Sequence, residues 1–217
     1  MKKIVSAKEA VKQIKDNSSV MIGGFISCGA PDELVDALVE QNVQNLTLIV
    51  NDTSIPNVDK GKLITNRQVK KVIASHIGLN SDTGRQMHAG EIDVELVTMC
   101  TLIERIRAKG SGLGGILTPT GVGTIVEENK EVMEVDGKKY IFERPIGADF
   151  ALIYGTKVDK HGNVAFYGTT RNINTIMATA AETVIIQADE LVDELDPNEV
   201  VIPGLFIDYI VVKEGNK

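Results

Sequence analysis

The groups of this 217-residue chain that could make or break a covalent bond are few: two cysteines, three histidines and a scatter of carboxylates. Nucleophilic catalysis needs a Ser, Cys or carboxylate held near a base or an oxyanion hole. Cys28 lies inside a glycine-lined stretch, VMIGGFISCGAP (Val20 to Pro31), but no motif pairs it with a histidine, so it reads first as a small apolar filler. Cys100 follows a buried strand and reads as core or pocket wall. His76, His88 and His161 share no ligand spacing, and the cysteines form no CxxC pair, so no metal centre is expected. His76 stands just past a strand end, where an ordinary hydrogen-bonded histidine is the simpler reading, and His161-Gly162 reads as a turn. Glu104, Arg105 and Arg107 read as the solvated face of a helix. The run LTPTGVGT (Leu117 to Thr124) could present backbone N–H groups to a phosphate, yet it matches neither a P-loop nor GxGxxG before a helix. Arg144 and Arg171 could meet an anion or form structural ion pairs. Residue chemistry alone points to a ligand-binding domain without a catalytic group of its own.

The elements that must position these groups alternate. In VMIGGFISCGAP a buried strand ends in a glycine turn that leads into an amphipathic segment, DELVDALVE. The carboxyl end of a strand is where open α/β sheets bind ligands. Gly23 and Gly24 would let a ligand approach the backbone, and the turn carries no Lys or Arg. Ser6 to Lys15 reads as a first helix with a capping box at Ser6 and Glu9. Leu46 to Val50, Val69 to Ser75 and Ile92 to Thr98 read as strands. Asp32 to Glu40, Ser81 to about Gly90, and Thr101 to Lys109 read as the helices between them. A loop covers Asn51 to Lys62. Asp136-Gly137, between two strand-like runs, predicts a hairpin. Asp149 to Asp159, Ala165 to Thr170, Thr183 to Asp189 and Phe206 to Val212 read as further strands, with a helix over Arg171 to Ala181. The expected fold is an open, mostly parallel, doubly wound α/β sheet, a single unit over 1–217 with an antiparallel hairpin inserted near 125–146.

Composition sets the outer limits. The chain is 43% apolar with no Trp, and its net charge is −7. Without a basic block it is not expected to bind nucleic acid. The start is interrupted by charge, unlike a signal peptide, and no apolar run approaches the roughly 18 residues of a membrane span. Two separated cysteines suit a reducing cytosol, so a soluble cytoplasmic protein is expected.

One resemblance covers nearly the whole chain. Asp16-Asn17, Val20-Met21-Ile22, Gly23-Gly24-Phe25 and Gly29-Ala30-Pro31 resemble the first signature of the family I (3-oxoacid) CoA-transferases. LTLIVNDTS, KKVIASHIG, TLIERIRAKGSGLGG, LTPTGVGT, ERPIGADFALI, VDKHGNV, TRNIN, MATAAETV and VIPGLFIDYIVV follow in the order and spacing of the family's α subunits, those acting on acetate or butyrate and acetoacetate.

The resemblance implies a three-layer α/β/α fold, coenzyme A as substrate with no tightly bound cofactor, and ping-pong transfer between short-chain acyl-CoA and carboxylic acids. It places the glutamate nucleophile on a β subunit, with an α₂β₂ assembly usual, so Glu33, Glu95, Glu104 and Glu143 are not candidates. It associates the turn with CoA binding, which carries over to Gly23, Gly24, Phe25, Ile26, Ser27, Cys28 and Gly29. The substrate pocket falls on Asn51, Met99 and Cys100. Relatives usually read Pro-Gln-Gly-Thr where this chain has Thr98-Met99-Cys100-Thr101. Met99 has no N–H to offer an acyl oxygen. Asn174-Thr175 is a milder departure. Two other readings compete: a sugar-phosphate-binding α/β domain, which would need basic residues at the turn, and a non-catalytic paralogue, for which Met99 is the best argument.

Overall fold

The computed structural model describes residues 2–215. Its first half alternates strictly: β1 (Lys3–Ile4), α1 (Ala7–Val11), β2 (Ser19–Ile22), α2 (Asp32–Gln41), β3 (Leu46–Asp52), α3 (Gly61–Thr65), β4 (Val69–His76), α4 (Ser81–His88), β5 (Asp93–Leu96) and α5 (Met99–Gly110). An antiparallel section follows, made of β6 (Ile116–Thr118), β7 (Val132–Val135) and β8 (Lys138–Glu143). The chain then returns to the main sheet through β9 (Ala148–Asp159), β10 (Val164–Ala165), α6 (Asn174–Met177), β11 (Ala181–Val192) and β12 (Tyr209–Val212).

The main sheet runs β1–β12–β11–β9–β2–β3–β4–β5, every neighbouring pair parallel, with β10 added antiparallel to β9. Both faces are covered, which is why its central strands are continuously apolar. Successive strand residues point to opposite faces. Met21 and Ile49 therefore join the core beneath α5 and α6, while Val20, Ile22, Leu48 and Val50 join the core beneath α1 and α2.

The doubly wound α/β expectation holds, and four local differences have physical causes. α1 stops at Val11 rather than Lys15, because the chain must turn through Asn17, in the left-handed region at φ 67°, to enter β2. The stretch from Ala165 to Thr170 is no strand: only Val164 and Ala165 pair with β9, and Gly168–Arg171 winds into a 3₁₀ turn. The helix over Arg171 to Ala181 shrinks to α6, broken on its near side by Asn172 at φ 20°, ψ −129°. Phe206 also sits in a 3₁₀ turn, so the last strand starts at Tyr209. The hairpin forms where predicted: Asp136 (φ 50°) and Gly137 (φ 74°) are both left-handed, as a type I′ turn requires. β6 pairs with the other edge of β8, so the antiparallel section begins at Ile116.

Candidate active site

β2 lies in the middle of the sheet and ends at Ile22, so the glycine turn emerges at the carboxyl edge between β9 and β3. Gly23 N–H still donates to Leu152 O at 3.0 Å. Phe25 and Cys28 then exchange both backbone hydrogen bonds at 3.0 Å, which makes Ile26-Ser27 a two-residue turn. Ile26 sits at φ 52° and Ser27 does not have positive φ, the pattern of a turn that normally takes Gly at its first central position. A β-branched residue there is a true outlier, at a cost on the order of 1–3 kcal/mol.

The glycines answer to the protein's own packing more than to a ligand. A Cβ on Gly23 would lie 1.8 Å from Asn174 Oδ1, and one on Gly29 would lie 2.4 Å from Thr170 O. Gly24, at φ 99°, abuts Ala30. Asn174 is fully buried and clamps the turn. Its Nδ2 donates to Gly29 O (2.9 Å) and Thr170 O (3.0 Å), while its Oδ1 accepts from Tyr154 N–H (3.1 Å). Asn172 Nδ2 holds Cys28 O at 2.9 Å, and the exposed Cys28 thiol lies 3.4 Å from Thr169 Oγ1.

Two cavities flank the turn. An apolar one of about 380 Å³ is lined by Phe25, Ile26, Asn51, Asp52, Ser75, His76, Leu79 and Met99. This space brings together five of the residues singled out from sequence, Phe25, Ile26, Asn51, His76 and Met99. Asn51 is locked in place, donating from Nδ2 to Asp52 (2.9 Å) and accepting from Ser75 Oγ at its carbonyl (2.7 Å) and Oδ1 (3.1 Å). Met99 opens α5, whose Thr98 N-cap makes no side-chain cap bond. First-turn N–H groups of a helix lack intrahelical partners, and Thr98 does not cover those of α5. Cys100 does not join the wall. It is exposed on the first turn of α5, so the expectation of a core position fails.

The other cavity, about 490 Å³, lies between Ser27, Gly29 and Tyr154 on one side and Lys62, Lys213 and Asp32 on the other. Its cations are already paired, Lys62 with Asp36 and Lys213 with Asp32 at 3.0 Å. Burial opposes ionisation of Asp32, but the Gln187 amide and the Lys213 ammonium outweigh it and hold the carboxyl below the usual range. Burial and the hydrogen bond to Asp189 push the Tyr154 hydroxyl up to about 12, so it remains a donor.

Beneath the turn lies a group that sequence reading passed over. Lys60 is fully buried, donating from Nζ to Ile26 O (2.7 Å) and to Asp59 (3.1 Å), with Asp52 Oδ1 at 3.7 Å. Asp52 in turn accepts from Ile26 N–H and Ser54 N–H, both at 2.8 Å. Burial pushes the Asp59 carboxyl above the ordinary aspartate range, against the pull of Lys60. The turn carries no cation of its own, but one is tucked under it. The only signal in the sequence is a Lys between Asp59 and Gly61, a pattern that reads as a solvated loop.

The remaining candidates are otherwise engaged. Glu95 pairs with Arg105 and Lys71, Glu104 with Arg107, and Glu143 with Lys130 and Arg105, while Glu33 accepts from Glu214 N–H. Arg105 is not on a solvated face. Its side chain is 12% exposed and ties α5 to β5 and to Arg144 O. Arg144 and Arg171 are exposed and line neither cavity, and Arg144 stacks on Phe142. The LTPTGVGT turn cannot cradle a phosphate as folded: Gly123 N–H donates to Glu127, and the N–H groups of Thr120, Val122 and Thr124 bond within the loop. His161 N–H and Gly162 N–H close a turn on Asp159. Among the described residues no cluster of His, Cys, Asp and Glu could hold a metal ion, and no helix is long and apolar enough to cross a membrane.

The geometry is an apolar, hydrogen-bond-framed cavity at the carboxyl edge of a parallel sheet, with every nearby carboxylate bound to a donor. The family model "Coenzyme A transferase" matches residues 4–213. The acetoacetyl-CoA:acetate/butyrate CoA transferase alpha subunit of Clostridium acetobutylicum is 50% identical over 96% of this chain and 97% of that one. The acetate CoA-transferase subunit alpha of Escherichia coli is 48% identical over 99% of each. Among solved structures, an acyl-CoA transferase from Escherichia coli O157:H7, in a thioester complex with CoA, superposes at TM-score 0.88 and 23% identity. That match covers all of this chain and 48% of the other, so this chain spans about half of it. The chain belongs to the coenzyme A transferase family.

Proposed function

We propose that this chain is the α subunit of a heteromeric CoA-transferase that moves coenzyme A between short-chain acyl-CoA, such as acetyl-, butyryl- or acetoacetyl-CoA, and a carboxylic acid. The observation that carries the reading is an apolar cavity against the glycine turn in a chain whose own glutamates near β5, α2 and α5 are all tied to cations or N–H groups. Relatives of the same length are named alpha subunits, which supports a partner subunit, and in this reading the glutamate nucleophile stands on that β subunit. That glutamate carboxylate attacks the thioester carbonyl and expels CoA thiolate, leaving an acyl-glutamyl anhydride. The thiolate then attacks the glutamyl carbonyl, releasing the first acid as carboxylate and forming a glutamyl-CoA thioester. The acceptor acid runs the two steps in reverse.

In this scheme Phe25, Ile26, Asn51 and Met99 receive the acyl end and the pantetheine arm. The CoA phosphates meet β-subunit cations, because Lys60, Lys62 and Lys213 are already neutralised by aspartates. Coenzyme A is substrate, with no tightly bound cofactor. The pair works in the cytoplasm as an α₂β₂ assembly. The experiment is transfer of CoA from butyryl-CoA to acetate by this chain alone, by its co-expressed β partner alone, and by the two together. Transfer by the pair and by neither chain singly is expected. Transfer by this chain alone would overturn the assignment, and acyl-CoA binding without transfer by the pair would favour a non-catalytic paralogue.

A further inference from the structure

We propose that Lys60 and Asp52 are positioning residues for the coenzyme A site: together they hold Ile26 of the glycine turn in its left-handed conformation and so fix the wall of the acyl cavity. The inference rests on the transferase reading above and adds residues that act without touching substrate.

Three observations converge. Ile26 occupies the first central position of a two-residue turn at φ 52°, where only Gly rests without strain. Both of its backbone polar groups are taken by this pair: the N–H donates to Asp52 Oδ2 at 2.8 Å, and the carbonyl accepts from Lys60 Nζ at 2.7 Å. The two side chains meet behind the peptide, Lys60 Nζ standing 3.7 Å from Asp52 Oδ1, with Asp59 completing the set at 3.1 Å. A lysine is almost never fully buried unless paired, and replacing a whole buried ion pair by apolar residues of similar volume is often neutral or stabilising. What an apolar residue cannot do is donate to a carbonyl. Lys60 and Asp52 therefore act as a two-point grip on one strained peptide unit. Ile26 and Asp52 line the acyl cavity, and Asn51, also in its wall, is held by Asp52 Oδ2 at 2.9 Å. A slip at Ile26 would move the wall and the turn together.

The test is a double-mutant cycle in the assembled enzyme, reading kcat and KM for butyryl-CoA. Lys60→Met and Asp52→Ala are each made in the native chain and in an Ile26→Gly background, where left-handed φ needs no grip. The expected result is a loss of about 100-fold in kcat/KM for each variant when Ile26 is present, the size of effect a displaced wall produces. KM should rise, and the loss should shrink to about 10-fold or less when residue 26 is Gly. Equal losses in both backgrounds would overturn the proposal, since a merely structural role takes no account of residue 26. If Lys60→Met does not fold, the Asp52→Ala pair decides alone, because alanine leaves the Ile26 N–H without an acceptor. Failure of the unmutated pair to transfer CoA would instead refute the transferase reading, so the two failures are distinguishable.

Discussion

Met99 stands at the first position of α5 with its side chain in the wall of the apolar cavity, where a thioether supplies bulk but no hydrogen. The resemblance places a glutamine amide at this point in relatives, and losing one such donor typically costs about 10²–10³-fold in rate. Met99→Gln should raise kcat/KM for a short acyl-CoA, by roughly 10-fold rather than the full range, because the first-turn N–H groups of α5, which the Thr98 side chain does not cap, are alternative donors next to Met99. Steady-state kinetics of the pair would show it, and an unchanged rate and acyl preference would mean the acyl oxygen lies elsewhere. At this scale sequence reading found the residues that line the cavity but not those that hold it. Asn51 and Met99 are legible through the family resemblance rather than through spacing: Asn51 lies inside β3 and Met99 opens α5. Lys60 and Arg105 could not, because a charged residue in a polar context reads as solvated until tertiary folding buries it. Cys100 failed for the converse reason: a residue after a buried strand is buried only if the helix it opens turns it inward.

The elements around the turn explain why its glycines are where they are. β2 delivers Gly23 to a point already occupied by the Asn174 amide from the start of α6, which bridges the turn at Gly29 to β9 at Tyr154. The pattern of glycines was legible in the sequence as a turn, but its partner was not, since Asn174 is about 150 positions away and sits in a helix of four residues. Sequence periodicity needs several turns to show, which is also why α6 and the 3₁₀ turns were misjudged while α2, α4 and α5 were found. Gly23→Ala should therefore act through Asn174. The added methyl, 1.8 Å from Oδ1, would break the bridge and destabilise the chain by about 1–3 kcal/mol, as overpacking does. Thermal denaturation would register the loss. Adding Asn174→Ala should relieve the clash without restoring the bridge, so the double variant should recover only part of it. A double variant no more stable than Gly23→Ala would show that the strain lies in the turn's own backbone.

Across the whole molecule, elements are tied together by carboxylates that must stay ionised. Asp159 is fully buried at the end of β9 and accepts from His161 N–H (2.8 Å), Asn163 N–H (3.0 Å), Asn163 Nδ2 (2.8 Å) and Leu195 N–H (3.4 Å). Burial works against its charge, but the Asn163 contacts and the other N–H groups prevail and hold it below the usual range. Burial is likewise outweighed at Glu95 by Arg105 and Lys71, and at Asp32 by Gln187 and Lys213. A carboxyl depressed in the folded state binds fewer protons there than in the unfolded chain. Its contribution is present above the unfolded value, about 4, and is lost as pH falls through the folded one. Asp59, raised by burial, works the other way: its contribution is present at low pH and fades as pH rises. With Asp193, held low by Lys160, four depressed carboxyls against one raised make acid the destabilising direction. The melting temperature of the chain should drop steeply below about pH 4. Asp159→Asn should lower it at pH 7 by about 4–8 °C, the equivalent of about 2 kcal/mol of charge-assisted hydrogen bonding in a chain this long. It should also flatten the acid limb, because the asparagine has no proton left to take up. A variant that melts lower at pH 7 but keeps the wild-type acid slope would show that Asp159 shapes the β9–β10 turn without carrying the acid sensitivity.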